Sequence, residues 1–388
     1  MDVVMRVNLA EAATGAHPPS SPPKQKRALV HPLLDFWLLG GLSFLGLGAM
    51  WLAVEVFGFK IDDRVPWWAY YAAFAVNYPH FAYSYQLFYK NYTKRLMGIE
   101  TGWDSRIRLA LAGIIVPMLM IGYFVQVGLM QDRQLLAYGV SAMLFFVGWH
   151  YVKQGYGVLI TASVYKGIFY TNWQKRFLYL NAYVIWAYAW IKGNTMLAQH
   201  KYYDVAYYTI SLPPQWQVWV GWLAVVSSVF AGFALLYAWL YEKKGITPSG
   251  IVGYASASYF WVMLPHVHPQ FFFFIPLFHS LQYLPFVYKF KKTEFLHEQA
   301  AEGGVPEGKL RRRIMLVMFV FAGFALGALF MDLIPAAIDK AVANDWAHFS
   351  RNYFIVCFLL FINIHHFFID SAFWRRDNKD VQQYLFRA

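Results

Sequence analysis

The 388-residue chain is 59% hydrophobic and 20% aromatic but only 14% charged, with a mean hydropathy of +0.36. Soluble domains carry about 25% charged residues, so this composition excludes a water-solvated globular protein and points to one membrane bundle. The lone cysteine, Cys357, excludes an internal disulfide and any Cys-based zinc or iron–sulfur site.

Residues 1–30 are polar and proline-rich (Pro18, Pro19, Pro22, Pro23) and carry Lys24, Lys26 and Arg27 beside the first apolar run. They lack the apolar core of about 7–15 residues that a secretory signal needs, and read as a disordered cytoplasmic tail. A transmembrane helical bundle is expected over 31–376, and a cytoplasmic C-terminal tail over 377–388. A spanning helix needs about 20 mostly apolar residues. Spans are predicted at 33–57, 67–89, 107–130, 135–164, 177–198, 216–241, 251–265, 271–289, 314–335 and 352–374. The fold expected is therefore all-α, a polytopic integral membrane helix bundle of about ten transmembrane helices. The seventh and eighth segments flank the break Pro265-His266-Val267-His268-Pro269, so a re-entrant hairpin is the alternative there. The fourth is long enough to tilt or to extend past the bilayer.

Charge tests this map. Loops assigned to one side hold 25 of the 33 basic residues, from Arg6 through Lys90, Lys94, Arg95, Lys166, Lys243, Lys289, Arg311 and Arg375 to Arg387. The other side holds Lys60, Arg64, Arg133, Lys192, Lys201, Lys340 and Arg351, and Lys153 lies within a span. The positive-inside rule puts the basic side and both termini in the cytoplasm, with the cell inner (plasma) membrane as the location. Anionic lipids of the inner leaflet then account for the net charge of +12 without nucleic acid. Trp67, Trp68, Trp173, Trp216, Trp219, Trp346 and Trp374 near span ends fit an interfacial belt. The basic stretch 289–313 reads as a solvated inner-surface segment.

Polar side chains at membrane depth are costly and mark function. This chain places His80, His150, His279, His365 and His366 within spans, with His31 at the entrance to the first. His80 precedes Lys90 by ten residues, His279 precedes Lys289 by ten and His365 precedes Arg375 by ten. Each therefore sits about 15 Å inside the cytoplasmic end at 1.5 Å per residue. His150, 16 residues before Lys166, lies deeper by the same count. Asn77, His80 and Ser84 share a helix face, as do Asn363, His366 and Asp370, while His31 and Asp35 are four apart. Gln154 on the His150 face, and Gln282 and Tyr283 on the His279 face, are expected to orient the imidazoles. His365 points about 100° away from His366 on an ideal helix and is a ligand only if the helix is distorted. His266 and His268 fall between prolines on the opposite side. His17, His200, His297 and His348 fall in the tail or in polar loops, away from any site.

Neutral imidazoles with one or two carboxylates suit iron, zinc or copper rather than magnesium or calcium. The ligand set expected is His31, His80, His150, His279, His365, His366 and Asp370, holding one or two non-haem iron ions that use molecular oxygen. Asp370, Tyr283 and Lys153 are the candidate catalytic side chains, with snorkelling or an anionic head group as the other role for Lys153. A hydrophobic small molecule or lipid is the expected substrate, entering from the bilayer, with an electron-donor protein as partner. Hydroxylation, desaturation and oxidative cleavage all fit.

No HExxH, Walker, GxSxG or GxGxxG motif is present, and the HxxxH and HxxHH boxes of membrane desaturases are absent. In short pieces the chain resembles the Brp/Blh-type membrane carotenoid cleavage dioxygenases: His31 at the first span, His80 after Pro79, and the stretch HSLQY beginning at His279. That resemblance implies single histidines on several helices binding one non-haem iron, and oxygen-dependent chemistry on an apolar substrate. A departure is Tyr283, where the family places a second histidine four residues after the first. Two other classes remain open on the residues alone. A proton-coupled transporter would use the His and Asp chain as a relay, and a haem or quinone electron-transfer protein would use facing histidines as axial ligands.

Overall fold

The computed structural model describes residues 28–386 apart from 63, 100, 196, 203–204, 302–307 and 343–351. The N-terminal tail to residue 27, His17, Trp346 and His348 lie outside the described residues. The protein is 83% helical. In chain order the elements are α1 (Pro32–Val56), α2 (Val65–Tyr89), α3 (Tyr92–Met97), α4 (Trp103–Met130), α5 (Arg133–Tyr165), α6 (Asn172–Lys192), β1 (Gln199–Tyr202), β2 (Val205–Tyr208), α7 (Pro214–Leu240) and α8 (Pro248–Val267). A 3₁₀ turn, Pro269–Phe274, leads into α9 (Ile275–Ala301), followed by α10 (Leu310–Val342), α11 (Tyr353–Phe373) and α12 (Lys379–Val381), which continues as a π turn to Phe386.

Local chemistry sets the boundaries. Asp132 caps α5 by accepting from the amides of Gln134 and Leu135 at 2.7 and 3.1 Å, using the side-chain oxygen that an N-terminus needs. Thr171 and Gln174 form a capping box on α6. Pro214 and Pro248 stand in the first turns of α7 and α8, where the missing N–H costs nothing. The start of α11 is capped from another helix: the Asp339 carboxylate of α10 accepts from Phe354 N and Ile355 N at 2.8 and 2.9 Å.

Among the described residues, seven helices are long and apolar enough to cross a membrane: α1, α4, α5, α7, the helix running to Ala300 that contains α9, α10 and α11. Helices α2, α6 and α8 occupy three further predicted spans, but their Tyr, Trp, Asn and His content leaves them less apolar. Burial sorts the seven. Over their most apolar stretches α11 is 61% buried and α5 and α9 are 56% buried, whereas α1, α4, α7 and α10 are only 17–28% buried. The two least apolar of the seven, α5 and α9, are among the most buried, and the three most apolar, α4, α7 and α10, are among the most exposed. This is the reverse of a water-soluble protein and follows from lipid as solvent.

Small residues bring α10 against α2. A Cβ added at Gly323 would stand 2.1 Å from the Tyr83 ring, and one at Gly327 would stand 2.7 Å from the Tyr78 backbone. The G-x-x-x-G spacing lets the two backbones approach closely, a common device between membrane helices.

Three expectations change. The fifth segment does not run to 198 as helix: it stops at Lys192, and Gln199–Tyr202 and Val205–Tyr208 form two antiparallel strands pairing Gln199 with Tyr208 and Tyr202 with Val205. The Pro265–Pro269 break is a helix end, a 3₁₀ turn and a new helix. The stretch after Lys289 is not a solvated loop, because α9 continues to Ala301 with Lys289, Lys291 and Glu294 buried. Lys291 and Glu294 are tolerated because they pair: Lys90 reaches Glu294 at 2.8 Å and Glu298 at 3.0 Å, and Lys291 also contacts Glu294. The C-terminal tail residues 379–386 are helical and insert Val381 and Leu385 beside Phe290 and Phe373.

Candidate metal centre

Four inner helices each contribute one histidine to a common point. His80 of α2, His150 of α5, His279 of α9 and His366 of α11 are all buried, and one ring nitrogen from each lies within 4.8 Å of the others. The Nε2 atoms of His80 and His366 are 2.8 Å apart. Ring centroids are separated by 4.9 Å for His150–His279, 4.8 Å for His150–His366 and 5.1 Å for His80–His279.

Aromatic packing holds the rings in place. Tyr151 stacks on His279 with centroids 3.6 Å apart and planes 8° from parallel. Phe367 stacks on His150 at 4.8 Å, and Phe81 meets both His80 and His366 edge-on. Metal-bound imidazoles commonly donate their second N–H to a carboxylate or carbonyl. Here the Nδ1 atoms of His80 and His366 have no such partner, so orientation comes from ring contacts.

The cluster as it stands leaves His80 Nδ1, His150 Nε2, His366 Nδ1 and both nitrogens of His279 buried without a hydrogen bond. A buried polar group without a partner costs about 1–3 kcal/mol, and such groups in native proteins call for an ion, a water or a function. Four buried nitrogen donors within 4.8 Å of one another could hold a cation. Nitrogens about 2.0–2.1 Å from a single ion are about 2.9 Å apart at right angles and about 3.3 Å apart at the tetrahedral angle. The 2.8 Å between His80 and His366 is a hydrogen-bond distance between the two rings, and the four nitrogens as a set lie within 4.8 Å of one another.

Asp370 flanks the group: its Oδ2 is 3.6 Å from His366 Nε2, and its Oδ1 accepts from Tyr283 Oη at 3.4 Å. Tyr283 Oη also pairs with Ser84 Oγ at 2.7 Å and accepts from Trp374 Nε1 at 3.1 Å, and its ring lies 4.1 Å from that of His80. Lys153 stands one turn beyond His150, where its ammonium donates to Ser371 Oγ.

Two predicted ligands lie elsewhere. His31 is exposed at the N-cap of α1, where its Nδ1 accepts from Leu33 N at 3.3 Å. His365 turns away from His366, as an undistorted helix requires. Its Nε2 meets the Ala112 carbonyl at 2.9 Å and its Nδ1 meets Tyr85 Oη at 2.8 Å. The cause is Pro117 in α4: having no N–H, it forces a π turn over Leu111–Ile115 and strands the Ala112 and Gly113 carbonyls. His365 satisfies the first and Tyr89 the second, at 3.0 Å. Since a carbonyl only accepts, His365 carries its proton on Nε2, and Tyr85 donates to Nδ1. His266 lies in the last turn of α8, and His268 accepts from Gln270 N, both outside the cluster.

The glutamines do not touch imidazole nitrogens. Gln154 Nε2 donates to the His279 carbonyl at 3.0 Å, and Gln282 Nε2 contacts Leu39 O, Gly253 O and Ser256 Oγ at 2.7–3.0 Å. They tie helices together. Tyr151 and Phe367 were not legible as site residues, since an aromatic beside a histidine in a membrane helix is ordinary. No protein-family model, no curated protein and no solved structure matches this chain.

Proposed function

We propose that this is a membrane-embedded, histidine-ligated non-haem iron oxygenase acting on a lipid or other hydrophobic substrate. The observation that carries the reading is the convergence of four buried imidazoles from four helices inside an apolar bundle, with five of their ring nitrogens lacking a hydrogen-bond partner. An all-imidazole set suits iron, zinc or copper, and of these iron is the ion proposed here because it serves oxygen chemistry on an apolar substrate. His80, His150, His279 and His366 are the residues that would hold it. When bound, iron supplies the electrons that activate oxygen.

The chain's own residues define the rest. His80, His150, His279 and His366 hold the ion, and Tyr151, Phe81 and Phe367 fix their planes and exclude water. Tyr283, held by Ser84 and Trp374, presents its hydroxyl beside the ligand ring. Asp370 supplies the negative charge that four neutral ligands lack. The spans number ten, α2, α6 and α8 included, with both termini cytoplasmic in the cell inner membrane. An electron-donor protein then reaches the site from the basic face.

Metal analysis of the detergent-purified protein tests this. About one iron per chain is expected, and it is lost when His80, His150, His279 or His366 is replaced by alanine. Folded protein that binds no metal, or stoichiometric zinc alone, overturns it.

A further inference from the structure

The α5 and α11 surfaces directly behind the ligands form a seam with one charged end. On α5, Phe146, Trp149 and Lys153 recur at helical spacing on the face next to His150, and all three are half-buried. On α11, Phe368 and Ser371 flank His366 in the same way. The aromatic members pack together: Phe146 lies 5.5 Å from Phe368, and Trp149 lies 6.3 Å from both. The Trp149 indole is pinned by donating to Tyr183 Oη at 3.0 Å, and Tyr179 donates in turn to Tyr183.

Lys153 closes this apolar track. Its ammonium donates to Ser371 Oγ and stands 4.8 Å over the Trp149 ring. Neither partner carries a charge. The neighbouring carboxylate, Asp370, is turned to Tyr283 and His366, and among the described residues no carboxylate forms an ion pair with Lys153. A half-buried ammonium in a membrane helix marks a substrate or ion path. Its partner Ser371 lies in the last turn of α11, four residues before the basic Arg375, and the aromatic track runs from there toward Phe146.

We propose that this seam binds a long-chain amphiphile with an anionic head: Lys153 and Ser371 hold the head, and Phe146, Trp149 and Phe368 line the chain. His150 is three residues from Lys153, so the first several carbons pass within one or two helical turns, about 5–10 Å, of the histidine cluster. The inference deepens the oxygenase reading and rests on it for its link to chemistry, but binding itself requires no metal.

Calorimetric titration of the full-length protein in detergent with stearate, stearyl alcohol and phosphatidic acid is the test, with iron content measured on the same samples. Stearate is expected to bind about 10–100-fold more tightly than the alcohol, the ratio matching a charged hydrogen bond. K153M, nearly isosteric and favoured in lipid, should reduce that ratio to about one, and K153R should keep it. Lys153-dependent displacement of stearate by phosphatidic acid would identify a lipid head group as the anion's source; no displacement would identify a free fatty acid. Equal affinity for acid and alcohol in the wild type, or an unchanged ratio in folded K153M, overturns the proposal. A preserved ratio in protein that binds no metal leaves this proposal standing and removes only the oxygenase reading.

Discussion

Adjacent histidines on α11 have opposite jobs. His366 joins the convergent cluster, and His365, about 100° around the helix, repairs the backbone of α4 behind Pro117. The two replacements should therefore separate cleanly. His366→Ala is expected to weaken iron binding by more than the roughly 10–100-fold that loss of an outer partner costs. His365→Ala should retain the metal but lower stability by about 1–3 kcal/mol, because a buried carbonyl loses its donor. Metal content and thermal unfolding of both variants decide it. Equal metal loss in the two would contradict the assignment. His31, as the cap of α1, belongs with His365: its replacement should leave the metal in place.

At the scale of elements, the site depends on how closely helices approach. His80 is held at the centre by α2, and α2 is pressed inward by α10 at Gly323 and Gly327. Gly327→Ala puts a methyl 2.7 Å from Tyr78 backbone atoms, which a flexible side chain cannot relieve. A loss of about 1–3 kcal/mol is expected, as for overpacking elsewhere. Because Tyr78 is two residues from His80, iron retention should fall as well. An unfolding curve and iron content identical to wild type would remove the close-approach account. Gly122→Ala, with open space around it, is the matched control. The faces that hold the histidines are internal because aromatic and polar side chains find partners there. Tyr254 to Asn181 at 2.6 Å and Tyr259 to Ser228 at 2.8 Å show the same principle in α6, α7 and α8.

For the whole molecule, burial and hydropathy are arranged for a lipid solvent, with apolar α4, α7 and α10 outermost. The topology has a direct check. Cys357 is buried, so single cysteines introduced on a Cys357→Ala background report loop location by labelling in intact cells. Positions 94, 176 and 244 should resist an impermeant maleimide, and positions 133, 192 and 266 should react. Reaction on both sides of α6 or of α8 would reduce the ten spans toward the seven most apolar ones.

The helical, apolar bundle and the grouping of His80, His150, His279 and His366 were legible in the sequence, because hydropathy and a rise per residue are one-dimensional quantities. The angle of about 100° between His365 and His366 also follows from helix geometry alone, yet the expected ligand set still included His365. The exclusion of His31 was not legible, nor were the Pro117 turn that claims His365 and the pairing of strands 199–202 and 205–208. Neither were the Tyr151 and Phe367 stacks, nor the packing of 379–386 into the bundle. Each depends on which residue from a distant helix arrives at a given face. Membrane-helix packing is decided by close approach at small residues and by pairing of the few polar groups, and those partners are hundreds of residues apart in the chain. The chemistry available to this protein was therefore written in residue type and depth, whereas the choice of four imidazoles out of twelve was made only when α2, α5, α9 and α11 met.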